Sequence, residues 1–169
     1  MLKPLLLALV LLAAVPTLAQ TVLPVPANYA LKSPDDFDQY QPQILQTVAW
    51  LTNPTTPFGT PDRAAASRFL IEWISGSPKV SVGIEPYVME LTKQDPDLLT
   101  AFLGGWASYS LQHPTEKDPV VLNTEAAKTV LTVYKNKGGK SNKTATELSK
   151  LNEQGKLSEW IKAHSSSKK

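Results

Sequence analysis

Apolar residues recur along this chain at three- and four-residue steps, and the stretches are separated by proline placed behind capping residues. Ile44, Leu45, Val48 and Leu51 form one stripe that ends near Asn53-Pro54. Ala65, Ala66, Phe69, Leu70, Trp73 and Ile74 form a second, and Leu98, Leu99, Phe102, Leu103, Trp106 and Tyr109 a third. Val120, Ala127, Val130, Leu131 and Tyr134 follow, then Leu148 and Leu151. This spacing puts the apolar side chains on one face of a helix. The starts read as Ser33-Pro34-Asp35-Asp36, Thr60-Pro61-Asp62, Glu85-Pro86, Asp95-Pro96-Asp97 and Asp118-Pro119, with Ser141 or Asn142 capping a later helix. Proline suits the first helical turn, whose N–H has no intrahelical partner, and the carboxylates suit the positive end of the dipole. Gly76, Gly138-Gly139 and Gly155 read as stops. Pro42 either opens a second segment or kinks the first, and Leu157, Trp160 and Ile161 make a last amphipathic turn or two.

Val80, Val82 and Ile84 alternate with Ser81 and Gly83. A lone strand of that length has nothing to pair with, so an extended connector is expected. The pattern therefore predicts an all-α fold: a single compact domain of five to seven short helices over residues 33–164, joined by Pro/Gly loops. An extended leader precedes it at residues 20–32, with Pro24 and Pro26 forbidding helix, and a frayed tail follows at 165–169. Leu103-Gly104 with Ala107 faintly matches a tetratricopeptide first helix, but the later positions of that repeat are missing.

Residues 5–15 break the helical period, being apolar without interruption. Lys3 precedes them, and Pro16 and Thr17-Leu18-Ala19 follow. Charge, apolar run, breaker and small residues are the parts of a secretory signal peptide, with cleavage expected between Ala19 and Gln20. The run is shorter than the roughly 20 apolar residues a bilayer span needs. The expected product is exported to the periplasm or the medium, soluble after cleavage. The chain has no cysteine, which removes disulfides, a lipid-anchoring thiol, thiolate metal sites and cysteine nucleophiles.

Charge is asymmetric. Residues 20–125 hold 6 Lys+Arg against 12 Asp+Glu, and residues 126–169 hold 10 against 3. Lys135, Lys137, Lys140 and Lys143 cluster around the Gly138-Gly139 turn and form a candidate anion-binding patch, with Lys128 and Lys150 nearby. The bland alternative is that cations complement a helix C-terminus and an acidic front half. Aromatic interleaving of the nucleic-acid kind is absent, so no nucleic-acid partner is expected.

Other motifs reduce to structure. Gly139-Lys140-Ser141 resembles the end of a P-loop, but Tyr134 stands where its first glycine belongs and a helix precedes it. Asp36 and Asp38 have calcium-loop spacing without the loop's glycine and distal glutamate. His113 and His164 have no neighbour at metal spacing. No cofactor or metal is expected. Glu72, Glu85, Glu90, Asp95 and Asp97 are the acids from which a hydrolase would draw a general acid and base, while Glu72 paired with Arg68 one turn earlier is the structural reading. Gly104-Gly105 inside a periodic helix costs on the order of 2 kcal/mol relative to alanine, which either close helix packing or a ligand groove beside Trp106 must offset. Trp50, Trp73, Trp106 and Trp160 all lie on or beside apolar stripes.

The Ala19-Gln20 junction, Trp73-Ile74-Ser75-Gly76-Ser77-Pro78, the alternation over residues 80–84, Gly104-Gly105 and Leu157-Ser158-Glu159-Trp160-Ile161-Lys162 together resemble small exported all-helical proteins of Bacteroidetes-type bacteria. The resemblance implies a helical fold and an envelope or secreted location, and brings no activity or site residues. The expectation is a non-enzymatic binding module with an anionic envelope component or another protein as partner. The alternatives are a carboxylate-dependent hydrolase of an extracellular glycan or polymer, and an oligomeric envelope component with an exposed Trp face.

Overall fold

Proline at the first or second position opens each helix from α1 to α6. In the computed structural model, which describes residues 22–93, 95–140 and 142–165, the helices are α1 (Pro34–Gln39), α2 (Gln41–Thr52), α3 (Pro61–Gly76), α4 (Pro86–Thr92), α5 (Pro96–Gln112), α6 (Pro119–Asn136), α7 (Lys143–Glu153) and α8 (Leu157–His164). The expected signal peptide with its Ala19-Gln20 junction, Ser141 and residues 166–169 lie outside the described residues. The described residues are all-helical, without a strand, and residues 80–84 run as an irregular connector.

The eight helices of the described residues exceed the five to seven expected, for two reasons. Pro42 starts a new helix rather than bending the old one, and Tyr40 serves as both the C-cap of α1 and the N-cap of α2. The last stretch winds into a full helix because Leu157 and Ile161 are buried and Trp160 packs edge-on against Tyr87, ring centroids 5.4 Å apart.

Side chains close the helix starts. Ser33 and Asp36 form a reciprocal capping box on α1, and Asp36 also accepts the Lys32 N–H at 2.9 Å. These backbone hydrogen bonds hold the Asp36 carboxyl below its ordinary range. Asp118 accepts the Val120 N–H at 2.8 Å, and Asn142 accepts the Ala145 N–H at 2.9 Å. At the end of α6 the Gly139 N–H reaches the Tyr134 carbonyl and the Gly138 N–H the Lys135 carbonyl, both at 2.9 Å. That pairing is a Schellman motif, and Gly138 and Gly139 supply its left-handed backbone at φ 91° and 61°. Gly76 works differently. It is the last residue of α3, and a Cβ there would lie 2.4 Å from the Phe37 ring, so it ends the helix by admitting a neighbour.

Helix α5 is central. It packs most extensively on α6 and also meets α2, α3 and α4. Trp73, Phe69, Phe102, Ile44 and Leu70 are sealed from solvent in the core. Trp73 donates its indole N–H to the Phe37 carbonyl at 2.9 Å, so its polar edge is satisfied. Residues 22–32 form no regular element, but Leu23, Val25, Tyr29 and Leu31 pack onto the core.

Candidate functional site

The α3 residues Arg63, Ala64, Ser67, Arg68, Ile71 and Glu72 recur at helical spacing and form one face. That face, with the Asp95-Pro96-Asp97 start of α5, Thr100 and Lys137 at the end of α6, lines an open cleft of about 930 Å³. Small-ligand sites span about 300–1,000 Å³.

Four charged groups organise its floor. Arg63, buried within α3, has its Nε 2.6 Å from Asp97 Oδ1, and its Nη2 donates to the Leu51 carbonyl at 2.9 Å. Lys137 Nζ lies 2.7 Å from Asp97 Oδ2 and 2.8 Å from Asp95 Oδ1. Asp97 thus bridges two cations, and Phe58 receives both on its ring face, with Arg63 Cζ 4.1 Å and Lys137 Nζ 5.0 Å from the centroid. Burial pushes the Asp97 carboxyl up, but the hydrogen bonds and charges of Lys137 and Arg63 outweigh it and hold the group below its ordinary value. Burial pushes the Lys137 ammonium down, and the hydrogen bonds it donates to Asp95 and Asp97, with their charges, outweigh that and raise it.

Glu72 lies on the same cleft wall. Its partner is the Tyr29 hydroxyl from the leader, at 2.5 Å, where sequence spacing pointed to Arg68. Tyr29 is anchored by its ring, 4.6 Å from that of Phe69. Burial and the Glu72 hydrogen bond push its hydroxyl pKa up to about 12. Of the acids a hydrolase would use, Glu72, Asp95 and Asp97 therefore share this cleft, each accepting a hydrogen bond. Glu90 lies elsewhere, 3.7 Å from Lys93.

The structure separates the candidate anion patch. Lys137 turns into the cleft, Lys135 lines a depression with Lys128 and Lys150, and Lys143 lines another with Lys150; Lys140 is exposed. Gly104 and Gly105 face different neighbours. A Cβ on Gly104 would sit 3.2 Å from Leu70 and Val48 side-chain atoms, and one on Gly105 would sit 2.5 Å from Thr129 Oγ1 and 3.0 Å from Ala126 Cα. Both glycines are positions of close helix approach, and Gly105 also borders a shallow groove between α2, α5 and α6. Trp106 is buried, 6.1 Å between ring centroids from Phe102. His113 packs at a tilt against Tyr109, and His164 stacks on Trp160. Asp38 pairs with Lys79 at 2.8 Å.

Sequence reading missed the role of Arg63. The signal was present: Arg63 falls in phase with Ala66, Leu70 and Trp73, so a charged residue occupies a core-facing position and needs a buried partner. Phe58 and Thr100 had no such signal, since only the tertiary fold brings Phe58 against the two cations and Thr100 to the cleft. Comparison with protein-family models, curated proteins and solved structures finds no match to this chain.

Proposed function

We propose that this protein is an exported, non-enzymatic binding module whose ligand enters the cleft between α3, α5 and the end of α6. The observation that carries the reading is the state of the cleft's acids: Asp95 and Asp97 are both held by cations, and Glu72 by a tyrosine hydroxyl. A glycoside hydrolase of the two-carboxylate kind needs one acid carrying a proton, with its pKa raised. Asp97 is shifted the opposite way. The arrangement favours a rigid, preformed wall over a proton-transfer pair. Export rests on the charge, apolar run and small-residue junction of residues 1–20, and the likeness to exported helical proteins of Bacteroidetes-type bacteria points to the same compartment.

Two measurements test this. Thermal-shift screening with small acids, peptides, oligosaccharides and anionic vesicles should find ligands that raise Tm saturably, with no turnover of chromogenic glycosides. Turnover that disappears in Asp97→Asn or Glu72→Gln would put the hydrolase in its place. Intact-mass analysis of the exported chain should give a product beginning at Gln20; a product retaining residues 1–19 would remove the export reading.

A further inference from the structure

We infer that the cleft binds a small monocarboxylate with an apolar body, its carboxylate held by Arg68 and by the hydroxyls of Ser67 and Thr100. This rests on the binding-module reading above and names its ligand class.

Most polar groups in the cleft are already used. Arg63, Lys137, Asp95 and Asp97 pair with one another, and the Arg63 Nη1 left without a partner is sealed from solvent. Three donors that a ligand can reach remain. Arg68 is exposed on the cleft wall and makes no ion pair or hydrogen bond among the described residues. Ser67 beside it is half-buried with an unengaged hydroxyl. Thr100 lines the same cleft from α5, only 6% exposed. The other buried hydroxyls among the described residues are all bonded: Thr47, Thr92, Thr124 and Ser165 to the carbonyl one turn back, Thr56 to Trp50, Tyr87 to Asn123 and Tyr134 to Thr146. Thr100 alone of that set makes no hydrogen bond. Its oxygen is not sealed off either, since the sealed orphan atoms of the described residues are Gln43 Oε1 and Arg63 Nη1. The Thr100 hydroxyl is therefore open to the cleft and able to bond to what occupies it, water or ligand.

Arg68, Ser67 and Thr100 line one cleft, and a guanidinium with two hydroxyls supplies the donors that a carboxylate accepts. Ile71, 40% exposed on the same wall, and Pro96 opposite offer apolar surface for the ligand's body. The site also sets a limit on charge. Asp95 and Asp97 are already balanced by Arg63 and Lys137, and Glu72 stands one turn from Arg68, so a second negative charge on the ligand finds no further unpaired cation in the cleft lining. Monoanions are therefore preferred over dicarboxylates and phosphates.

The test is an amide-resolved NMR titration of the purified protein with hexanoate and N-acetyl-L-leucine, and with hexanamide and N-acetyl-L-leucinamide as neutral counterparts. Saturable shifts at Ser67, Arg68 and Thr100 with the acids and not the amides are expected. Binding of N-acetyl-L-leucine alone identifies an amide-bearing, peptide-end type of acid; binding of hexanoate alone identifies a plain aliphatic acid; both support the site. Arg68→Gln should weaken binding at least about tenfold, and Thr100→Val several-fold, with Tm retained in each because Arg68 is exposed and Thr100 loses no hydrogen bond. No saturation in the millimolar range, equal binding of the amides, or an unchanged affinity in Arg68→Gln overturns the inference. If the thermal-shift screen finds another ligand while these acids leave the cleft silent, the inference falls and the binding module stands; turnover without binding removes both.

Discussion

Arg63 Nε lies 2.6 Å from Asp97 Oδ1, 34 positions further along the chain. The pair joins the first turn of α3 to the first turn of α5, and Lys137 adds the end of α6. Removing the carboxylate leaves a buried guanidinium without its counter-charge. Asp97→Ala is expected to lower the unfolding free energy by about 3 kcal/mol. Asp97→Asn should lose less, because its amide oxygen still accepts one bond. Urea midpoints of the two variants check both values, and a loss within about 0.5 kcal/mol for the alanine would remove the structural role.

The same network sets a pH window. Asp97 has a lowered folded pKa, so its contribution is present above the ordinary carboxylate value of about 3.9 and is lost as pH falls through the folded value. Lys137 has a raised folded pKa, so its contribution is present below about 10.4 and is lost as pH rises through the folded value. The stability difference between wild type and Lys137→Met should be flat from about pH 5 to pH 9 and shrink at both ends. A difference that grows towards acid pH would contradict the assignment.

The paired glycines of α5 should respond differently to alanine. Alanine at an unhindered helical glycine gains up to about 1 kcal/mol. At Gly104 the new Cβ meets only the ends of the Leu70 and Val48 side chains, which can shift, and the change is expected to be near neutral. At Gly105 it meets Thr129 Oγ1 and Cβ and the Ala126 backbone, so α5 and α6 must separate. Gly105→Ala should destabilise by about 2 kcal/mol or more, measured by chemical denaturation.

Asn142 performs two tasks. Its Oδ1 accepts the Ala145 N–H at the start of α7, and its Nδ2 donates to the Leu91 carbonyl in α4 at 2.8 Å. Asn142→Asp keeps the cap and loses the donor; Asn142→Ala loses both. Hydrogen exchange should therefore show faster opening at the α4–α7 contact in both variants, with early α7 amides exposed only in the alanine. The alanine should cost about 2 kcal/mol.

Tyr29 ties the leader to the cleft wall through Glu72. An ultraviolet titration should reveal one tyrosine ionising near pH 12, and Tyr29→Phe should remove that phase. The raised pKa means its stabilisation is complete below about pH 10 and fades above it. With its ring packing on Phe69 and Tyr40 kept, Tyr29→Phe should cost about 1 kcal/mol at neutral pH.

Helix starts were the most legible part of this chain. Ser33, Thr60, Asp95, Asp118 and Asn142 all cap by side chain, and each lies one residue before a proline or an early helical turn that its chemistry anticipates. Those are contacts within a few residues, so local sequence contains both partners. The cleft was barely legible. Asp95 and Asp97 were visible as caps, but their cations come from positions 63 and 137, and no local pattern connects them. Nor does local sequence say where the lysines of the candidate anion patch lie: sequence neighbours Lys135 and Lys137 line different depressions.

The amino-acid sequence by itself determined the helical class, the cap and stop chemistry, and the core faces, because each follows from spacing of 3.6 residues per turn and from backbone groups a few residues apart. Only the tertiary structure decided that Gly104 and Gly105 serve two different helix contacts, that Glu72 answers to Tyr29, and that Asp97 stands between Arg63 and Lys137. Each of these depends on which helix faces which, and charge pairing and close packing are settled by distance in space, where separation along the chain carries no information.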